Sequence, residues 1–94
     1  MKPSPLSETE VVSRLSSLNG WNLEKGEIVR TFEFPDFRGS LAFVNRIGEL
    51  AESAGHHPDI DIRYNKVQLA LVTHDAGGLT ASDFKLAEQI NRVA

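Results

Sequence analysis

The sequence predicts an α+β fold: a four-stranded antiparallel sheet with three helices on one face, in the order α-β-β-α-β-β-α. Two observations support this prediction. Segments whose apolar residues recur at helical spacing are separated by pairs of short segments in which apolar and polar residues alternate. Each pair of strand-like segments is joined by a short turn, which favours hairpins. At 94 residues the chain has room for one hydrophobic core, so we expect one domain over residues 1–94, with residues 1–6 flexible.

The first and last predicted helices begin with the same capping signal. Ser7 and Glu10 fit the S-x-x-E capping box at the start of a helix over 7–18, and Thr80 and Asp83 repeat it before the last helix. The flanking apolar pairs that would form hydrophobic staples are Leu6 with Val11 and Leu79 with Phe84. The side chains of the last helix that point inward are predicted to be Phe84, Ala87 and Ile90.

The middle helix is the longest. Pro35-Asp36 opens it, the apolar spacing continues to about Ala54, and Gly55 is the expected C-terminal glycine. Its predicted buried stripe consists of Phe37, Leu41, Val44, Ile47, Ala51 and Ala54. This helix therefore carries the chain directly into the segment that holds most of the histidines.

Two hairpins supply the predicted sheet, with turns at Lys25-Gly26 and Asn65-Lys66. The strands are Trp21–Glu24 with Glu27–Phe34, and Ile60–Tyr64 with Val67–Leu71. A two-residue turn at Asn65-Lys66 places apolar residues opposite apolar residues along the second hairpin, namely Ile62 with Leu69 and Ile60 with Leu71. Continued to the open end, this register places His57 opposite His74, so we expect the two side chains to meet there.

Composition excludes several classes of function. The net charge is −3 without a basic block, which argues against a nucleic-acid surface. No apolar run approaches the roughly 20 residues of a membrane span. The absence of cysteine excludes disulfides and thiolate metal sites and fits a reducing compartment. We therefore expect a cytoplasmic protein that binds a small molecule, contacts neither nucleic acid nor membrane, and self-associates because its core is small.

The three histidines are concentrated between residues 56 and 74. Histidine titrates nearest neutral pH, so this concentration indicates proton transfer or metal binding. We expect His56, His57 and His74 to meet at the open end of the second hairpin, where the middle helix also delivers Glu52. A zinc site built from these side chains is the weaker alternative, because neighbouring residues of a strand point to opposite faces and no helical His-x-x-x-His spacing is present.

Each of the other polar candidates also has a purely structural explanation. Glu52 lies beside the apolar stripe of its helix and could be solvated, and the capping box alone accounts for Asp83. Tyr64 could be a core aromatic residue whose hydroxyl needs a partner. Pro58 locks the start of a strand and favours an end of the pairing just before His57.

The spacing of these residues resembles the signature of the pterin-4a-carbinolamine dehydratases. The matching positions are Glu52, His56-His57-Pro58, Tyr64, His74 and Asp83, and the flanking matches are Gly20-Trp21, Phe34-Pro35-Asp36-Phe37, Tyr64-Asn65-Lys66-Val67, Thr73-His74-Asp75 and Gly77-Gly78-Leu79. Animal relatives commonly have Trp where Ile60 stands and an acid where Gly55 stands, so the chain is similar to the bacterial branch.

The resemblance implies a hydro-lyase that converts 4a-hydroxytetrahydrobiopterin, a by-product of aromatic amino-acid hydroxylases, to quinonoid dihydropterin and water. It implies no metal or other cofactor, and it implies homodimers or homotetramers. The catalytic residues carried over are His56, His57, His74 and Glu52, and those that would contact the substrate are His57, Pro58, Tyr64 and Asp83. Our hypothesis gives the acid–base chemistry to His56 and His74 and the orientation of the pterin to His57.

The resemblance also leaves two other functions open. Animal members of the family act as dimerisation cofactors of a homeodomain transcription factor through a helical surface, which would make this chain a non-catalytic interaction protein. A pterin enzyme could also serve molybdopterin or folate metabolism in a host without a pterin-dependent hydroxylase.

Overall fold

The computed structural model describes residues 4–94 and has the predicted order of elements. The elements are α1 (Glu8–Ser16), β1 (Asn22–Glu24), β2 (Glu27–Glu33), α2 (Phe37–Ala54), β3 (Asp59–Arg63), β4 (Lys66–Leu71), a short 3-10 helix (His74–Ala76) and α3 (Ala81–Val93). All four strands are antiparallel to their neighbours and form one sheet in the order β1-β2-β4-β3. The predicted α+β fold is therefore confirmed.

The two faces of the sheet differ in polarity, and the helices cover the apolar one. The buried side chains that β2 and β4 contribute to the core are Ile28, Phe32, Val67, Leu69 and Leu71, and those that the helices contribute include Val11, Phe43, Ile47, Phe84, Leu86, Ala87 and Ile90. The opposite face is open and polar, with Thr31, Asp61, Arg63, Lys66 and Gln68 around a surface depression. One core thus lies between the sheet and the helices.

The capping box predicted for α1 is confirmed. The Ser7 backbone N–H donates to Glu10 Oε1 over 3.0 Å, and the Glu10 N–H donates to Ser7 Oγ over 3.2 Å. The preceding residue, Leu6, is half-buried and donates its backbone N–H to the Leu79 carbonyl over 2.7 Å. Of the segment expected to be flexible, residues 1–3 lie outside the described residues.

The predicted buried stripe of α2 is partly wrong. Phe37, Leu41 and Ala54 are exposed, whereas Phe43 is fully buried, with its ring centroid 4.7 Å from that of Phe32. The buried face of α2 is therefore rotated relative to the predicted stripe. A polar residue, Ser40, therefore takes an inward position. Neither α2 nor any other helix within residues 4–94 is long and apolar enough to cross a membrane.

The second hairpin turns one residue earlier than predicted. Its two-residue turn is Tyr64-Asn65, so Ile62 lies opposite Val67 and Ile60 opposite Leu69. Tyr64 has a φ of 49°, a left-handed conformation that costs a non-glycine residue about 1–2 kcal/mol.

Hydrogen bonds from distant segments hold this turn. Ser40 Oγ donates to the Tyr64 carbonyl over 2.6 Å, and Asn65 Nδ2 donates to the Phe34 carbonyl over 3.0 Å. Phe34 in turn donates its backbone N–H to the Asn65 carbonyl over 2.8 Å. Contacts between segments far apart in the chain therefore override the local turn preference.

Candidate active site

The three histidines line one shallow depression at the open end of the second hairpin. His56 and His57 follow α2 directly, and His74 opens the 3-10 helix that follows β4. The depression has a volume of about 250 Å³. The residues that line it are Gly55, His56, His57, Val72, Thr73, His74 and Asp75. Imidazoles from two separate segments of the chain thus face one volume.

The route by which the chain brings these rings together differs from the predicted one. Gly55 ends α2 with a φ of 63°, the left-handed conformation that favours glycine at a helix C-terminus. Pro58 then precedes Asp59, where the ladder with β4 begins. The predicted direct opposition of His57 and His74 in the sheet is therefore wrong, because both residues lie beyond the paired strands and meet through their loops.

His56 is held by a buried carboxylate. Its Nε2 lies 2.5 Å from Asp83 Oδ1, and the side chains of His56 and Asp83 are 17% and 0% exposed. The second oxygen, Asp83 Oδ2, accepts from Thr73 Oγ1 over 2.8 Å and from the backbone N–H of Thr80 over 2.9 Å. The acid that caps α3 therefore also holds an imidazole.

This arrangement selects one neutral form of the His56 ring. An ionised carboxylate can only accept hydrogen bonds, so a bond between the neutral ring and Asp83 requires the ring proton to be on Nε2. The other ring nitrogen, Nδ1, then carries a lone pair and is the nitrogen left for a substrate. The side chain of His56 is also one of those that line the depression.

His57 makes a similar contact in a different environment. Its Nε2 lies 2.5 Å from Glu52 Oε2, but the two side chains are 61% and 77% exposed. Glu52 reaches His57 from the last turn of α2 and does not itself line the depression. The two adjacent histidines therefore differ in both carboxylate partner and exposure to water.

Three of the residues expected to contact the substrate, Pro58, Tyr64 and the fully buried Asp83, do not line the depression. Tyr64 is 65% exposed and lies in the turn at the opposite end of the hairpin, roughly 20 Å from His57 along an extended strand. Pro58 is half-buried beside His57 and fixes the start of β3. The structure thus brings the histidines, Glu52 and Asp83 together, and it leaves Tyr64 apart.

Thr73 and Thr80 are site residues that the sequence analysis missed. A signal for Thr73 was available, because it continues the alternation of Val67, Leu69 and Leu71, which all point into the core. A polar residue at such an inward position needs a hydrogen-bond partner. Thr80 was identified only as a helix cap, although its hydroxyl lies 2.8 Å from that of Thr73.

Other depressions are lined by fewer histidine side chains. A cleft of about 420 Å³ between α1 and the first hairpin has Glu8 as the single titratable residue of its lining. A groove of about 330 Å³ between α2 and α3 shares His56 with the histidine depression and also contains Ser53, Ser82 and Lys85. Among residues 4–94, no group of three or more His, Asp or Glu side chains is placed to hold a metal ion.

The fold and the site together define a small α+β protein whose histidine and carboxylate side chains converge on a solvent-accessible depression. The model of the family described as "Pterin 4 alpha carbinolamine dehydratase" matches residues 4–93, and the chain belongs to that family.

Similar proteins agree with this assignment along nearly the whole chain. A relative from Acidobacterium capsulatum is 61% identical over 85 residues, 90% of this chain and 92% of its own. One from Chloroflexus aurantiacus is 57% identical over 88 residues, 94% of this chain and 95% of its own. Both are named provisionally as pterin-4-alpha-carbinolamine dehydratases. A crystal structure described as a transcriptional coactivator/pterin dehydratase from Brucella melitensis is 34% identical, with a TM-score of 0.92 over 97% of this chain and 99% of that one.

Proposed function

We propose that this protein dehydrates 4a-hydroxytetrahydrobiopterin to quinonoid dihydropterin and water, and thereby serves the recycling of a tetrahydropterin cofactor. The family and the names of the relatives support a pterin carbinolamine as the substrate. The observation that carries the proposal is the depression walled by His56, His57 and His74, with His56 held by a buried carboxylate.

The reaction needs groups that move protons near neutral pH. The C4a–O bond breaks with loss of hydroxide, which is a poor leaving group unless the oxygen is protonated as it departs. The lone pair on N5 forms the new C=N bond, and N5 then loses its proton. One group must therefore donate a proton to oxygen while another accepts a proton from nitrogen. Each positioned acid or base of this kind contributes about 10²–10⁴-fold to the rate.

The geometry supports distinct roles for the three imidazoles. His56, whose Nδ1 carries the lone pair, is the proposed base, and His74, which lines the same depression, is the proposed acid. His57 is exposed and paired with Glu52, and it is proposed to bind and orient the pterin ring. This division uses the protein's own side chains for every proton that the reaction transfers.

Stopped-flow ultraviolet spectroscopy of chemically generated carbinolamine tests this proposal. We expect the wild-type protein to accelerate dehydration, and His74→Ala to lose about 10²-fold or more in kcat because the departing oxygen is no longer protonated. Gln68→Ala, on the open face of the sheet, is the matched control and keeps the wild-type rate. A wild-type protein that leaves the spontaneous rate unchanged would contradict the function, and a fully active His74→Ala would contradict the role of His74.

A second candidate function is protein binding through α2. Phe37 and Leu41 are exposed one turn apart on this helix, and the Brucella melitensis protein is described as a coactivator as well as a dehydratase. Replacing all three histidines by alanine would abolish dehydration and leave such a function intact. The double variant Phe37→Asp, Leu41→Asp would do the reverse. Complementation of a strain that lacks the protein by each variant separates the two functions.

We also propose that the protein acts in the cytoplasm as a homodimer or homotetramer. The absence of cysteine from the sequence fits a reducing compartment and supports the location. Strand β3 lies at the edge of the sheet, where its outer backbone groups are available to pair with another strand, and this supports self-association. Light scattering over a range of protein concentrations tests the oligomeric state.

A further inference from the structure

The hydroxyl of Thr73 belongs to a chain of hydrogen bonds behind the wall of the depression. Thr73 Oγ1 donates to Asp83 Oδ2 over 2.8 Å, and it lies 2.8 Å from Thr80 Oγ1. A threonine hydroxyl has one proton. Since that proton is directed to Asp83, the bond between the two hydroxyls must run from Thr80 to Thr73. The chain is therefore directional: Thr80 donates to Thr73, and Thr73 donates to Asp83.

Asp83 therefore acts only as a hydrogen-bond acceptor, and each of its bonds comes from a donor. These are the Thr73 hydroxyl and the Thr80 backbone N–H on Oδ2, and the His56 ring on Oδ1. The carboxylate is fully buried, so water does not compensate for a missing donor. The orientation of the carboxylate plane, and with it the direction of the bond to His56, depends on both donors to Oδ2.

The backbone of Thr73 organises the loop that carries His74. Its carbonyl accepts from the N–H groups of Ala76, Gly77 and Gly78 over 3.1, 3.1 and 3.3 Å, and its own N–H donates to the Gly78 carbonyl over 3.2 Å. These bonds close a tight loop directly around His74. One residue therefore contacts both halves of the site: its backbone closes the loop of His74, and its hydroxyl reaches the carboxylate that holds His56.

We infer that Thr73 is a positioning residue, which fixes the tautomer and orientation of His56 through Asp83 and aligns His56 with His74. The inference rests on the proposed function for its catalytic consequence, whereas its structural part concerns the His56 ring alone. Thr73 makes no bond to a reacting atom in the proposed mechanism. It acts through Asp83, and Thr80 supports it by donating to its hydroxyl.

The side-chain chemistry of threonine suggests a matched pair of variants. Thr73→Val keeps the branched shape and removes the hydroxyl, so Asp83 Oδ2 retains only the Thr80 N–H. Thr73→Ser removes a methyl group and keeps the donor. A role in packing alone would favour valine over serine, whereas a role in positioning His56 favours serine over valine.

Steady-state kinetics and nitrogen-15 NMR of the histidine rings test the inference. We expect Thr73→Val to lower kcat by about 10-fold, as the loss of a group that orients a functional ligand commonly does, and to leave KM unchanged. Thr73→Ser should keep a kcat close to that of the wild type. In the spectra, the neutral His56 ring should be protonated on Nε2 in the wild type and should populate the Nδ1-protonated form in Thr73→Val. Thr31→Val, an exposed threonine on the open sheet face, should change neither measurement.

Several outcomes would overturn the inference. These are equal losses in the valine and serine variants, a loss confined to KM, or an unchanged His56 spectrum in Thr73→Val. A wild-type His56 ring protonated on Nδ1 would also overturn the inference, because that form contradicts the hydrogen-bond chain, and this outcome can be observed even if Thr73→Val does not fold. A wild-type protein without dehydratase activity would refute the proposed function, while the spectra of the two Thr73 variants would still report on positioning.

Discussion

The two histidine–carboxylate pairs of this site have the same nitrogen–oxygen distance and different surroundings. His56 with Asp83 and His57 with Glu52 both join Nε2 to a carboxylate oxygen over 2.5 Å. The first pair is buried and the second is largely exposed. Adjacent residues in the sequence thus enter environments that differ mainly in their access to water.

This difference determines what each pair can do. An exposed ion pair contributes about 0–1 kcal/mol, because water and salt screen it and both side chains lose freedom when it forms. A buried carboxylate with several donors holds its partner in one orientation, since leaving any donor or acceptor unpaired is costly. The same chemical pair therefore gives a fixed ring at His56 and an adaptable one at His57.

The largest effect is expected from a substitution that breaks the buried pair of His56 and Asp83. Asp83→Asn presents an amide in place of a carboxylate, so the Nε2–H form of His56 loses its charged acceptor while the local shape is kept. We expect kcat to fall by about 10²–10⁴-fold, the range seen when an acid that orients a catalytic histidine is replaced by its amide. Stopped-flow kinetics measures the loss, and thermal denaturation checks that the variant is folded. Activity near that of the wild type would show that the buried pair is structural only.

A smaller effect is expected from the exposed pair. Glu52→Gln removes a contact that water already screens, so kcat should change by no more than a few-fold, corresponding to about 1 kcal/mol or less. Because screening weakens the wild-type pair further, the difference between the two proteins should shrink at high salt. KM and kcat measured at low and high ionic strength provide the test. A loss of kcat as large as that of Asp83→Asn would mean that burial does not explain a difference in importance between the two pairs.

The smallest effect concerns a capping acid that holds no histidine. The backbone N–H of Ser7, followed by its hydroxyl, lowers the pKa of Glu10 below the ordinary value of 4.5. A lowered folded-state pKa stabilises the protein above the unfolded-state pKa, and this stabilisation is lost as the pH falls through the folded-state value. Denaturant unfolding should therefore find Glu10→Gln less stable than the wild type at neutral pH, with the difference shrinking as the pH falls below 4.5 and vanishing below the lowered folded-state pKa. Dehydratase activity should be unaffected. A loss of activity would contradict a role for Glu10 in helix capping alone.

The sequence predicted those parts of the fold that depend on neighbouring residues. The cap at Ser7, the glycine that ends α2 and the first hairpin turn at Lys25-Gly26 all act within a few positions of the chain. The turn of the second hairpin escaped prediction because Ser40 holds the Tyr64 carbonyl from 24 positions away. A long-range hydrogen bond of this kind leaves no local pattern in the sequence.

The site was predicted in the same incomplete way. The spacing of the histidines indicated that they would lie near one another, and all three line one depression, although in loops rather than across a ladder. The bond between His56 and Asp83 was not predicted, because a capping box already explained Asp83 and nothing in the spacing shows how α3 packs against the loop after α2. The local sequence pattern shows that Asp83 caps α3, whereas its contact with His56 depends on how the helices and loops pack.

The stretch between Gly55 and Pro58 is only long enough for its two imidazoles. The left-handed glycine fixes how the chain leaves α2, and the proline fixes where β3 starts. An inserted or deleted residue would change which way each side chain points between these two fixed positions. The two rings would then exchange surroundings or leave the depression. The length of this stretch therefore matters to the site as much as the two imidazoles that it carries.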